Sequence, residues 1–133
     1  MAAAEPSPTT FPLKEFLGFA VERGAGRATA TLQLGEQHHN PFGVAHGAVA
    51  FTLMDTAMGA AVMSVVAEGD RCATIEIQTR FLRGATEGTL TAEATVLSAG
   101  RSVVHLEART VDTAGNLVAA ATGSFAVIRP RTG

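Results

Sequence analysis

Apolar and polar residues alternate strictly from Arg27 to Leu34. Ala28, Ala30, Leu32 and Leu34 take one side, and Arg27, Thr29, Thr31 and Gln33 the other. This period of two predicts a half-buried strand. The preceding RGAG predicts a tight turn from a short strand over Gly18–Arg23, because glycine takes positive φ without strain. GEQHHNPFG then reads as a loop, since Asn-Pro and Gly interrupt a ladder. From Gly47 to about Val66 the alternation stops. Ala, Met and Leu dominate with no Pro, which predicts one long helix ended by EGD. The helix is apolar on nearly every side, so it should be surrounded by other elements. Gly59 and the alanines at 57, 60 and 61 give it a thin surface that a sheet can approach closely.

Four strand-like runs follow: CATIEIQTRFLRG, TLTAEATVLSAG, RSVVHLEARTVD and LVAAATGSFAVIRP, the last pair joined by a hairpin turn at AGN. In the first, Ile75 and Ile77 oppose Glu76, Gln78 and Arg80. In the second, Leu90, Ala92, Ala94 and Val96 oppose Thr89, Thr91, Glu93 and Thr95. Each run is about ten residues, long against a usual strand of roughly five or six, so one strongly curved antiparallel sheet is expected. The predicted architecture is α+β, a long central helix wrapped by that sheet. Residues 1–12 (MAAAEPSPTTFP) read as a flexible lead-in, and residues 13–129 as a single domain.

Composition narrows the possibilities. A chain of 133 residues fits one domain. At 47% hydrophobic and 17% charged it is apolar for its size, which favours an oligomer that hides part of one face. Ten basic residues against 12 acidic, with no basic block, leave no surface for nucleic-acid phosphates. The single Cys72 excludes an internal disulfide and suits a reducing cytoplasm. The N-terminus lacks the pattern of a signal peptide. Asp55 in the middle of the most apolar stretch, without basic flanks, argues against a membrane span.

That carboxylate is the chemical puzzle, because an isolated buried acid is costly and needs a donor, water or another subunit to meet it. One reading gives it a hydroxyl such as Thr52, or a solvent-filled groove. The other makes it an acid placed for chemistry. At the start of the same helix, GVAHGAVA offers first-turn N–H groups at the positive end of the helix dipole. The Gly47 amide there can grip a carbonyl oxygen, and hold it harder as it becomes an oxyanion. His46-Gly47 is equally a plain loop-to-helix turn. Asn40 can hold water or offer its NH₂, or simply start the Asn-Pro turn. His38, His39 and His46 have no standard zinc spacing, and no metal is expected. No G-x-S-x-G elbow or phosphate loop occurs. Ser64, Ser98, Ser102 and Ser124 lack a recognisable His and acid. Cys72 lacks a local sign of thiolate stabilisation.

NPFGVAHGAVAFTLMDTAMG, with the β-β-α-β-β-β-β order, resembles the hotdog-fold acyl-CoA thioesterases, and within them the PaaI-type group of phenylacetic-acid degradation. The family pattern N-x₂-G-x₂-H-G-G followed by a helical Asp is matched by Asn40, Gly43, His46, Gly47 and Asp55, with Ala48 where the second Gly is usual. The resemblance runs on through TRFLRGATEG and SAGRSVVHLEARTVDTAGNLVAAATGSFAV and covers residues 13–128. It implies hydrolysis of an acyl- or aryl-CoA thioester with no cofactor, coenzyme A being part of the substrate. It also implies a homodimer, commonly paired into a homotetramer, with two sites at the subunit boundary. Asn40, His46 and Gly47 would come from one chain and Asp55 from the other, with Asp55 acting as general base or nucleophile. Thr74 matches an assisting Ser/Thr position, and Arg83 and Arg101 look like contacts for the phosphates of coenzyme A. Phe42, Phe51, Met54, Met58 and Phe81 are candidates for the acyl pocket. A CoA-ester binding protein, or a dehydratase-like relative using His46 with Asp55, is the alternative.

Overall fold

The computed structural model describes residues 10–131, so most of the lead-in expected to be flexible lies outside the described residues. The chain runs α1 (Pro12–Leu17), β1 (Phe19–Gly24), β2 (Arg27–Gln33), a 3₁₀ turn (Glu36–His38), α2 (Gly47–Met63), β3 (Arg71–Phe81), β4 (Thr89–Ala99), β5 (Val103–Val111) and β6 (Leu117–Ile128). All six strands form one antiparallel sheet in the order β1-β2-β4-β5-β6-β3. Helix α2 touches every strand of it, which is the α+β wrap expected from the sequence.

The close fit of helix and sheet comes from a division of sizes. The helix contributes Leu53, Met54, Met58 and Val62, all fully buried. The inner face of the sheet answers with Ala28, Ala30, Ala92, Ala94, Ala108, Ala119 and Ala121. At Gly123 even a methyl group is too much, since a Cβ there would stand 2.8 Å from the Met58 sulfur. Burying each large helix side chain is worth about 1.5–3 kcal/mol. Of the thin side expected of the helix, Ala57 and Ala61 are fully buried and a Cβ at Gly59 would stand 3.6 Å from the Phe125 ring of β6, while Ala60 stays partly exposed.

Four expectations need correction. Helix α2 is not surrounded within one chain: Ala48, Phe51, Thr52, Asp55, Thr56, Gly59, Ala60 and Met63 form a partly open face. It ends at Met63 instead of Val66, because the Ser64 hydroxyl donates to the Ala61 carbonyl at 2.6 Å and accepts the Gly26 N–H at 2.8 Å. Ile75 does not share a face with Ile77. A bulge between Thr74 and Glu76 leaves Ile75 unpaired and 55% exposed, and shifts the alternation. Finally, residues 12–17 form helix α1, where a lead-in to residue 12 and no element before the strand at Gly18 were expected. Pro12 suits a first helical turn, and Gly18 at φ 86° ends the helix, its N–H donating to the Lys14 carbonyl at 2.8 Å. The helix buries nothing and is too short to show a period.

Helix α1 is tied down by an imidazole. His38 is buried, its Nδ1 accepts the Gly35 N–H at 2.9 Å, and its Nε2–H therefore donates to the Leu17 carbonyl at 2.8 Å. Removing this side chain strands two backbone groups. His38→Ala is expected to cost about 2 kcal/mol or more. His39→Ala, which breaks one exposed bond to the Thr86 carbonyl, should cost less than about 1 kcal/mol. Urea unfolding of the two variants measures the difference.

Candidate active site

The first turn of α2 is built around His46. Its backbone is extended, at φ −62° and ψ 138°, and its Nδ1 accepts the Ala48 N–H at 2.9 Å. The Val49 N–H donates to the His46 carbonyl at 2.9 Å. The Gly47 N–H, between them, meets no acceptor among the described residues. Gly47 lines a cavity of about 330 Å³ with His46, Ala50, Phe81, Arg83 and Val118. The Phe81 ring lies over it so closely that a Cβ at position 47 would stand 3.1 Å from Cε1. A side chain here would press on that ring, which is itself more than half exposed, and the residue's φ is not in the left-handed region.

Asn40 shapes the loop into this turn. Its Oδ1 accepts the N–H groups of Phe42 at 2.8 Å and Val44 at 3.2 Å, while its own N–H donates to the Val44 carbonyl at 2.7 Å. The turn-forming reading of Asn40 is thus realised in the carbonyl, leaving the NH₂ for other contacts. The rings of His38 and His39 bond to backbone groups. Among the described residues no group of three His, Cys, Asp or Glu is arranged to hold a metal ion.

Asp55 sits eight residues into α2, about 12 Å along the axis from Gly47, on the open face. Its Oδ1 accepts the Thr74 hydroxyl at 2.8 Å. Thr52, the donor expected from sequence, instead bonds back to the Ala48 carbonyl at 2.7 Å. Asp55 and Thr74 line a second, larger cleft of about 710 Å³, together with Cys72, Gly59, Met63 and Phe125. Burial pushes the Cys72 thiol up, and the Asp55 charge adds to the effect. That is opposite to the shift a nucleophilic cysteine needs.

Thr74 and Asp55 are therefore brought together, as are Gly47, His46 and Arg83, but the two groups stay apart within one chain. Arg83 follows the Phe81 end of β3, whose partner is Ala119. Arg101 lies in the β4–β5 turn near the other end of the sheet, its carbonyl accepting from Arg129 Nη2 at 2.7 Å. Among the acyl-pocket candidates, Phe81 lines the first cavity, while Met54 and Met58 face the sheet with no exposed surface and line neither cleft. Phe42 is 88% exposed. Ser124 hydrogen-bonds His105 at 3.0 Å across β5–β6, on the face of the sheet away from α2, and no carboxylate among the described residues bonds that imidazole. Sequence reading missed the second wall of the larger cleft, formed by Phe11 and Lys14 of the α1 region and by Val21 and Arg23 of β1. No local pattern signals it, because β1 and β3 meet there only through the curl of the sheet.

A long apolar helix packed into one curved six-stranded antiparallel sheet is the hotdog class of fold. The comparisons agree. The thioesterase superfamily model matches residues 42–119. The Halobacterium salinarum protein named "Putative esterase VNG_1336C" is 36% identical over 129 residues, covering 88% of this chain and 85% of its own. The structure of conserved protein PA5202 from Pseudomonas aeruginosa superposes with a TM-score of 0.85 at 31% identity, covering 90% of this chain and 95% of that one. The thioesterase HI1161 from Haemophilus influenzae gives 0.83 at 25% identity, covering 88% and 82%. The chain belongs to the thioesterase superfamily, and with it to the hydrolases.

The contact between Gly47 and Phe81 is directly testable. Gly47→Ala is expected to displace the Phe81 ring and to cost no more than about 1 kcal/mol, and Phe81→Ala in the same chain should remove that cost. A double-mutant cycle in thermal or urea unfolding reads the coupling.

Proposed function

We propose that the protein hydrolyses the thioester of an acyl- or aryl-CoA, as a PaaI-type member of the superfamily, with Gly47 as oxyanion donor and Asp55 as general base or nucleophile. The observation that carries this reading is the pair of chemically complementary groups on one helix. One is an N–H at the positive end with no acceptor; the other is a carboxylate held by Thr74 at the mouth of a largely apolar cleft. In acyl transfer the first steadies the charge that develops on the carbonyl oxygen, and the second activates the attacker.

Their separation argues for two chains. Groups about 12 Å apart on one helix cannot both reach a single carbonyl carbon. Strand β3 is an edge of the sheet, and Ile75, Phe81 and Leu82 along and just beyond it are more than half exposed. Antiparallel pairing of β3 with the same strand of a second copy would set the Thr74 end of one chain against the Phe81 end of the other. The Asp55 carboxylate of one protomer would then approach the Gly47 amide of its partner. Arg101 and Arg83 would meet at the same end, where two cations suit the phosphates of coenzyme A. The resulting homodimer shares its sites, and a homotetramer is the natural further pairing.

In the general-base course, Asp55 takes a proton from water, and the hydroxide adds to the thioester carbon. The oxyanion forms against the Gly47 N–H, which the Phe81 ring overlies. Collapse breaks the C–S bond, and the departing CoA thiolate recovers the proton from Asp55. In the nucleophilic course, an Asp55 oxygen adds first and displaces the thiolate, and water then cleaves the mixed anhydride. Asn40 contributes its free NH₂ to positioning water or substrate, and Thr74 orients the carboxylate. His46 acts as helix cap through Nδ1, an arrangement that does not favour a dehydratase in which its imidazole would pair with Asp55. The single half-buried thiol suits a reducing, cytoplasmic setting, and no helix among the described residues is long and apolar enough to cross a membrane.

Release of free thiol from a panel of short, medium, long-chain and aromatic CoA thioesters tests the activity. Asp55→Asn is expected to lower kcat on the best substrate by about 10²–10⁴-fold with unfolding unchanged. An unaltered kcat overturns the assignment of Asp55, and no thiol release from any thioester favours a CoA-ester binding protein. Thr74→Val should lower kcat less, by about tenfold, since it removes one hydrogen bond to the charged group.

A further inference from the structure

We infer that the site selects acyl groups whose far end carries an anion, held by Lys14 and Arg23 on the wall of the larger cleft opposite Asp55. The inference rests on the thioesterase reading and adds the substrate class to it.

The cleft lies where the two edges of the sheet turn toward each other. Strands β1 and β3 are the first and last in the sheet order, yet Val21 and Arg23 of β1 line the same cleft as Cys72 and Thr74 of β3. The open face of α2 forms the floor through Thr56, Gly59, Ala60 and Met63. Small floor residues leave room for an acyl chain or a ring, and Phe11, Val21, Met63 and Phe125 give it apolar company. A cleft of about 710 Å³ is in the size range of sites for small organic ligands.

The two walls differ in charge. The β3 side presents the Asp55–Thr74 pair. The β1 side presents Arg23 together with Lys14 from α1. Among the described residues neither cation has a carboxylate partner, the ion pair there joining Arg27 to Glu93. Lys14 is held in place and does not hang from a free tail. Helix α1 is pinned by the edge-to-face contact of Phe11 with Phe19, ring centroids 5.8 Å apart, and by the His38 bond to the Leu17 carbonyl. A thioester carbon at Asp55 directs the acyl group across the floor toward these cations. A carboxylate at its end gains charge-assisted hydrogen bonds there, whereas a methyl end displaces water from two cations and replaces none of their contacts.

The experiment compares matched acyl groups on the whole protein: adipyl-CoA with hexanoyl-CoA, and terephthaloyl-CoA with toluoyl-CoA, by kcat/KM from thiol release. The carboxylate-ended member of each pair is expected to be preferred by about tenfold or more. The double variant Lys14→Ala, Arg23→Ala should bring both ratios close to one. Arg109→Ala, on the face of the sheet away from α2, should leave the ratios as they are. Ratios near or below one in the unaltered protein, or a preference that survives the double variant, overturn this inference and leave the thioesterase reading standing. Hydrolysis of none of these four, nor of the wider thioester panel, overturns both.

Discussion

The contact between the large side chains of α2 and the small ones of the inner sheet is what everything else depends on. Met54 and Met58 reach the sheet because alanines line it, and Gly123 admits the Met58 sulfur where no Cβ would fit. A sheet that can come this close can also curl, and the curl brings β1 within reach of β3's side of the helix. Both clefts are products of that closeness. One opens where the helix begins, beside Phe81. The other opens where the sheet fails to close over the side bearing Asp55.

The fold was largely readable because its signals are local and redundant. Strict alternation marks β2 and β4, and a sudden shift to Ala, Met and Leu without Pro marks α2. The errors sit where tertiary contacts decide. Ser64 stops the helix by bonding the β1–β2 turn, a partner far away in sequence. The bulge at Ile75 is invisible to a count of alternating residues, since one extra residue changes the face of everything after it. Helix α1 has no buried residue to give it a period.

The candidate site was legible in kind and not in arrangement. The spacing of Asn40, His46, Gly47 and Asp55 drew attention to the loop before α2 and to the helix itself, where the two clefts open. The structure adds what each residue is already occupied with. Asn40 has committed its carbonyl to the loop, His46 its Nδ1 to the helix, and Thr52 its hydroxyl to the preceding turn. What remains uncommitted is a shorter set, and it is divided between two clefts. The cationic wall could not be anticipated, because Lys14 and Asp55 share no pattern and meet only across a gap left by the curvature of the sheet.

The bulge in β3 also bears on how copies of this chain can add to one another. A long, regular exposed edge invites open-ended stacking of strands, and natural sheets interrupt such edges. Here the interruption falls between Thr74 and Glu76, so the edge is unequal along its length, with one even run of rungs and one broken one. An incoming strand that slides by a residue loses its match at the kink. The irregularity therefore acts as an alignment key: for any strand that adds there it favours one register over neighbouring ones, and it discourages open-ended stacking.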